Sequence, residues 1–392
     1  MRDVILLCPQ PRDLAAAEAA GLGSRYRLHA VGPDLDGLER IEPEAVLAEA
    51  DGVPADGIVA TKDRSALLAA VLAGRRGLPS PTPQALLACQ HKPTSRRILE
   101  RVAPEATPPW AVLAEEPPPF GPPWFVKPVV GRLSQDARRV DDPARLASLD
   151  GWDDYREGYA AIAALAGLRR DDVRGYLAEE VRSGAEVTLE GYAFRGSVTV
   201  VGVTDSVKYP GTGSFERFEY PSRLPEERLA ELADVASRAV PALGFDDGFF
   251  NVEFFVPERG PATLIEVNGR IASQFAPLVQ AAHGRSTYEA LFALACGDDP
   301  RWTPGPPSCY AVSYVLRRFE DAFVEDAPEP ERGVEILVEA GKRLSEQGTN
   351  DAQSYRLAIV YAAAATRAEA LARARDRADR LRFRLREPAR TR

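Results

Sequence analysis

Residues 248 to 268 carry the pattern that most limits the fold. "GFFNVEFFV" is followed by the six residues "PERGPA" and then by "TLIEVN". Both runs alternate, and so short a connection makes them an antiparallel hairpin. Asn251 and Glu253 share one face of the first strand. On the second, Glu266, Asn268 and Arg270 recur at every second position, about 7 Å per step. The pairing sets Glu253 opposite Glu266, with Asn268 one step further along. Two carboxylates so close repel and raise each other's pKa unless a cation lies between them. Two acids and an amide are hard oxygen donors of the kind magnesium takes, with phosphates and waters completing its shell. The same alternation would serve a solvated sheet face whose acids pair with Lys or Arg across strands.

Charge and composition narrow the partners. A net charge of -9 over 392 residues, with a pI near 5.2 and the Lys and Arg scattered, argues against nucleic acid and anionic membranes. Cys8, Cys89, Cys296 and Cys309 show no CxxC spacing, and there are three His, so neither a zinc site nor a disulfide frame is expected. No run approaches ~20 apolar residues, and the apolar run near the N-terminus is too short for a signal peptide. A cytoplasmic protein acting on small molecules is the expectation.

The fold class is α/β (α+β). Residues 1–90 alternate short strand-like runs ("DVILLC", "DGIVAT") with Ala/Leu-rich helices, a Rossmann-like pattern, yet no GxGxxG follows the first strand and a structural role is expected. Residues 91–178 give a helix, a Pro-rich connector and a strand, "WFVKPVV". Residues 179–304 bring long alternating strands, and residues 305–392 two or three strands with an Ala/Arg-rich terminal helix.

Further residues carry chemistry. Lys127 is a lone ammonium on a buried-strand pattern, followed by a Gly/Ser turn; a lysine and loop amides together can hold a polyphosphate. Lys92 opens the helix "KPTSRRILERV", poorly placed for the macrodipole but well placed for an anion. In "YLAEEVRSGAEVTLEG" an extended crossover can present its backbone to a purine edge, and a carboxylate such as Glu186 can accept from ribose hydroxyls. A solvated surface charge is the alternative for each.

In order and spacing, Lys92, Lys127 with its small-residue loop, "AEEVRSGAE", Glu253 and "EVNGR" resemble the ATP-grasp superfamily. The resemblance implies an ATP-grasp fold: a pre-ATP-grasp domain, a two-lobed ATP-binding core and a small C-terminal lobe like that of the biotin-carboxylase-like and amino-acid-ligase branches. It implies ATP and one or two Mg2+, with Mn2+ as a substitute. Lys92, Lys127 and Ser134 would contact phosphates, Glu179 and the backbone of Glu180, Val181 and Arg182 adenine, and Glu186 ribose. Glu253, Glu266 and Asn268 would ligate the metal, and Arg270, with Lys127, would be catalytic at the transferring phosphoryl group. Lys208, Arg217 and Glu219, in a long polar segment between two strands, are the acceptor-pocket candidates. One departure stands out: in "GRLSQDARRV", Asp136 occupies the position of that loop's last Gly. Asp tolerates left-handed backbone angles, but its carboxylate must point away from phosphates. The implied activity is ADP-forming ligation of a small carboxylate to an amine through an acyl phosphate. The alternatives are a biotin-carboxylase-like carboxylation or a silent ATP-binding protein. A homodimer is compatible with the resemblance.

Overall fold

The structure is a computed structural model that describes residues 1–387 except 39, 114–117, 133, 150–152, 304, 348–350 and 352–353. It begins with β1 (Arg2–Leu7), α1 (Pro11–Ala19), β2 (Tyr26–Val31), α2 (Pro43–Asp51), β3 (Gly57–Val59), α3 (Asp63–Arg76) and α4 (Pro83–Gln90). The strands pair in parallel in the order β2-β1-β3. Val4 to Leu7 are all buried, which is why β1 reads as an unbroken apolar run rather than an alternating one. The loops after β1 and β3 are tied together by Asp13, whose carboxylate accepts from the Thr61 hydroxyl at 2.8 Å and the Tyr288 hydroxyl at 2.6 Å.

Next come α5 (Lys92–Val102), β4 (Trp110–Val112), β5 (Trp124–Pro128), β6 (Arg138–Val140), α6 (Asp154–Leu165) and β7 (Tyr176–Glu180). Their antiparallel sheet runs β4-β7-β5-β6 over a small core of Trp124, Val126, Val140, Tyr176 and Ala178.

The chain then crosses into β8 (Ala185–Phe194), β9 (Ser197–Lys208), β10 (Phe215–Tyr220), α7 (Glu226–Ala242), β11 (Gly248–Val256), β12 (Thr263–Asn268), α8 (Ala276–His283) and α9 (Thr287–Ala295). After these lie β13 (Tyr310–Arg318), β14 (Phe323–Asp326), β15 (Val334–Ile336), β16 (Tyr355–Ala364), α10 (Arg367–Arg380) and β17 (Arg384–Arg386). Eight of these strands make one sheet, in the order β12-β11-β8-β9-β10-β13-β16-β15. The C-terminal strands thus extend the sheet of the preceding segment. α10 lies across β13 and β16 through Ala370 and Ala374, small residues one turn apart that let the helix approach closely. Among the described residues no helix is long and apolar enough to cross a membrane.

Candidate functional site

The hairpin forms with Glu253 directly opposite Glu266 and Asn251 opposite Asn268. Asn268 Nδ2 donates to Asn251 Oδ1 at 2.9 Å and to Glu253 Oε1 at 3.2 Å, so the amide oxygen is the atom left for a cation. Burial, with Glu266 and Glu186 nearby, pushes the Glu253 carboxyl well above the usual carboxylate range. Lys92, the first residue of α5, approaches Glu266 at 4.0 Å. Among the described residues no group of three or more His, Cys, Asp or Glu could hold a metal. Two facing carboxylates and an amide nevertheless make a set of hard oxygen donors whose repulsion a divalent cation would relieve.

A register shift follows Glu253: Phe254 pairs with Leu264, leaving Ile265 as the extra residue of a β-bulge. The Ile265 carbonyl accepts from Arg96 Nη2 at 2.5 Å. Arg96 Nε also donates to Glu179 Oε1 at 2.6 Å, and Lys127 Nζ meets Glu179 Oε2 at 2.8 Å. All three side chains are buried. Burial opposes the charge on Glu179, but Arg96 and Lys127 outweigh it and hold its pKa down to about 2. Glu179 still lines the cleft beside the crossover, but its carboxylate is not free for a ligand. Its carboxylate is taken by two cations, and its strand pairs with β4 on one side and β5 on the other.

Between the two sheets opens a cleft of about 320 Å³. Lys92, Lys127, Gly131 and Ser134 line it on one side, Glu253 and Glu266 on another, and the crossover Glu180, Val181 and Arg182 on a third. Phe125, Phe215 and Phe255 supply apolar surface for a planar ring. Glu186 also lines it, paired with Lys208 at 2.6 Å; burial raises the Glu186 carboxyl and Lys208 only partly offsets that. Two lysines, a pair of facing acids and a crossover between two sheets therefore share one cavity.

The ATP-grasp domain family matches residues 120–277, the stretch from just before β5 to the start of α8. Residues 120–277 are an ATP-grasp domain. The chain is 31% identical over 174 residues to a D-alanine–D-alanine ligase of Anaeromyxobacter sp. (strain Fw109-5), covering 42% of this chain and 51% of that one. The chain spans about half the length of the curated relatives it matches, 45% and 51%. Among solved structures, an L-amino acid ligase from Bacillus licheniformis superposes with a TM-score of 0.73 at 18% identity over 99% of both chains. A biotin carboxylase–β,γ-ATP complex from Campylobacter jejuni gives 0.69 at 16% identity, over 98% of this chain and 92% of that one. At those identities the likeness is one of fold.

The departure in the ATP-grasp loop has a structural answer. Asp136 sits at φ +58°, in the left-handed region, and its carboxylate meets the buried Arg156 at 3.0 Å. Arg132, in the same loop, reaches the N-terminal unit, pairing with Asp36 at 2.7 Å and stacking over Tyr155 at 4.8 Å.

Arg270 is held by Asp63 at 2.7 Å. Burial opposes its charge, and Asp63 more than restores it. Among the acceptor candidates, Lys208 lies in the cleft beside Glu186, but Arg217 and Glu219 do not line it. Glu219 is buried and bound to Arg217, Arg223 and Arg367 of α10. The cause is a second bulge: Lys208 pairs with Phe215 but Val207 with Arg217, so the parity of β10 changes after Phe215 and these residues turn to the α10 side. Sequence reasoning missed Arg96, Asp63 and Arg132. Asp63, in the first turn of α3 just after a parallel strand, gave a signal that could have been used.

Proposed function

We propose that this ATP-grasp protein is a cytoplasmic, ADP-forming carboxylate–amine ligase that joins an amino acid or related carboxylate to an amine. The observation that carries the reading is the facing pair Glu253 and Glu266 lining a cleft that Lys127 also lines, with Asn268 hydrogen-bonded to Glu253 behind them. The names of the similar proteins, a D-alanine–D-alanine ligase and an L-amino acid ligase, support the amino-acid substrate.

Glu253, Glu266 and Asn268 would hold one or two Mg2+, with Mn2+ as a substitute, and a bound ion there supplies charge neutralisation at the phosphates. Lys92 and Lys127 add fixed positive charge on the phosphate side, Ser134 and the loop amides hydrogen-bond donors. The crossover Glu180 to Arg182 presents backbone groups to the purine edge, flanked by the phenylalanines, and Glu186 accepts from the ribose hydroxyls. The substrate carboxylate attacks the γ-phosphate, ADP leaves, and an acyl phosphate remains. The amine then attacks the acyl carbon after losing a proton, and inorganic phosphate departs. Arg270, already charged and positioned by Asp63, stabilises the phosphoryl group in transfer.

Hydroxylamine supplied with MgATP and a panel of amino acids tests this. A hydroxamate forming with stoichiometric ADP is expected. AMP and pyrophosphate, or turnover with bicarbonate alone, would overturn it.

A further inference from the structure

Beyond Arg270 three loops bring further positive charge together. Arg12 opens α1, Lys62 precedes α3, and Arg270 follows β12. Two clamps hold them in register. Asp13, next to Arg12, takes the Thr61 hydroxyl at 2.8 Å; Asp63, next to Lys62, takes Arg270 Nε at 2.7 Å. Arg12 is answered by Glu335 of β15 at 2.6 Å. Lys62 is half-buried and makes no side-chain hydrogen bond or ion pair among the described residues. Burial, with Arg12 and Arg270 close by, brings its pKa down to about 8. Arg356 of β16 adds to the same field: burial and the charges of Arg317 and Arg12 lower it to about 10. The carboxylate of Asp13 is already engaged by three hydroxyls, of Thr61, Ser273 and Tyr288, and a backbone N–H. Asp13 and Asp36 act on Lys62 from nearby, but Asp36 is already paired with Arg64 and Arg132. An enclosed ammonium whose neighbouring carboxylates are engaged elsewhere is costly, and an arriving anion offsets that cost.

We propose that the substrate of this site carries a second anionic group, a carboxylate or a phosphate, that seats on Lys62 and Arg12 while the reacting carboxylate faces Arg270. The assignment rests on the ligase reading above. It makes Lys62 a specificity-determining residue for dianionic acids over uncharged ones of the same length.

Calorimetry on the full chain saturated with Mg2+ and a non-hydrolysable ATP analogue reads this directly. The probes are glutarate against valerate, glutamate against norvaline, and 3-phosphonopropionate against butyrate; the third pair separates phosphate from carboxylate. At least tenfold tighter binding of the dianionic member is expected in one or more pairs. Lys62→Met should reduce that preference to under twofold without altering nucleotide affinity, and Lys62→Arg should keep most of it. Equal affinity within every pair, no binding by any dianionic probe, or an undiminished preference in Lys62→Met would overturn the proposal. The parallel hydroxamate assay separates the two readings. Hydroxamate from valerate or norvaline with no dianion preference removes the second anion and leaves the ligase. A Lys62-dependent preference with no hydroxamate from any probe removes the ligase reading alone.

Discussion

Asp136 Oδ2 stands 3.0 Å from Arg156 Nη2 while its own backbone sits at φ +58°. One residue therefore does two things in the loop after β5: it adopts an angle that Asp accepts more readily than most, and it turns its carboxylate toward a buried guanidinium. Arg156 also contacts Asp153 at 3.5 Å and the Val130 carbonyl at 3.3 Å.

The two roles separate by substitution. Asp136→Gly removes the ion pair and keeps the backbone free; Asp136→Ala removes the ion pair and adds left-handed strain of about 1 kcal/mol. The alanine variant should be the less stable of the two by that amount in urea unfolding. Equal stabilities would show that the loop relaxes out of the left-handed region at no cost.

In the sequence Lys127 reads as a lone ammonium, and losing such a group costs little stability. Its partner Glu179 changes that. Breaking a buried pair by removing one member typically costs about 3–5 kcal/mol, and here Arg96 stays on Glu179 and reduces the loss. Lys127→Ala should therefore lose both thermal stability and ATP affinity. An unchanged melting temperature with lost affinity would mean that Lys127 does not hold Glu179 in solution.

The same knot sets a pH dependence. The folded pKa of Glu179 is depressed, from 4.5 to about 2, so its contribution is full above pH 4.5 and is lost as pH falls toward 2. A shift of that size corresponds to on the order of 3 kcal/mol. The stability difference between the parent and Glu179→Gln should shrink as unfolding is moved from pH 7 to pH 3. A difference that stays constant over that range would remove Glu179 as the group responsible.

What the sequence shows and hides follows from range. The hairpin, the helix opened by Lys92 and the facing pair Glu253 and Glu266 are legible because alternation and a six-residue connection are local signals. The left-handed angle at Asp136 is legible through the resemblance, which puts a Gly at that position. Arg96 and Glu179 are 83 residues apart on a helix and a strand, and nothing in either segment announces the other. Arg217 and Glu219 mislead differently: the polar segment that reads as a connection between two strands folds in part as a strand itself, β10, and the bulge after Phe215 turns both side chains away from the cleft.

Glu266→Gln tests the metal assignment against the alternative of a solvated sheet face. In the protein without metal, Glu266 is one of the charges that raise the Glu253 carboxyl, so neutralising it relieves repulsion. Lys92 at 4.0 Å is its weak counterweight. The variant should be as stable as the parent or slightly more stable in the absence of Mg2+, and the parent should gain stability on adding Mg2+ with the ATP analogue while the variant gains far less. Hydroxamate formation should fall by at least a hundredfold. If both proteins gain equally from Mg2+ and turn over at the same rate, the cation is held elsewhere, and the alternating acids of the hairpin are only a polar wall of the cleft.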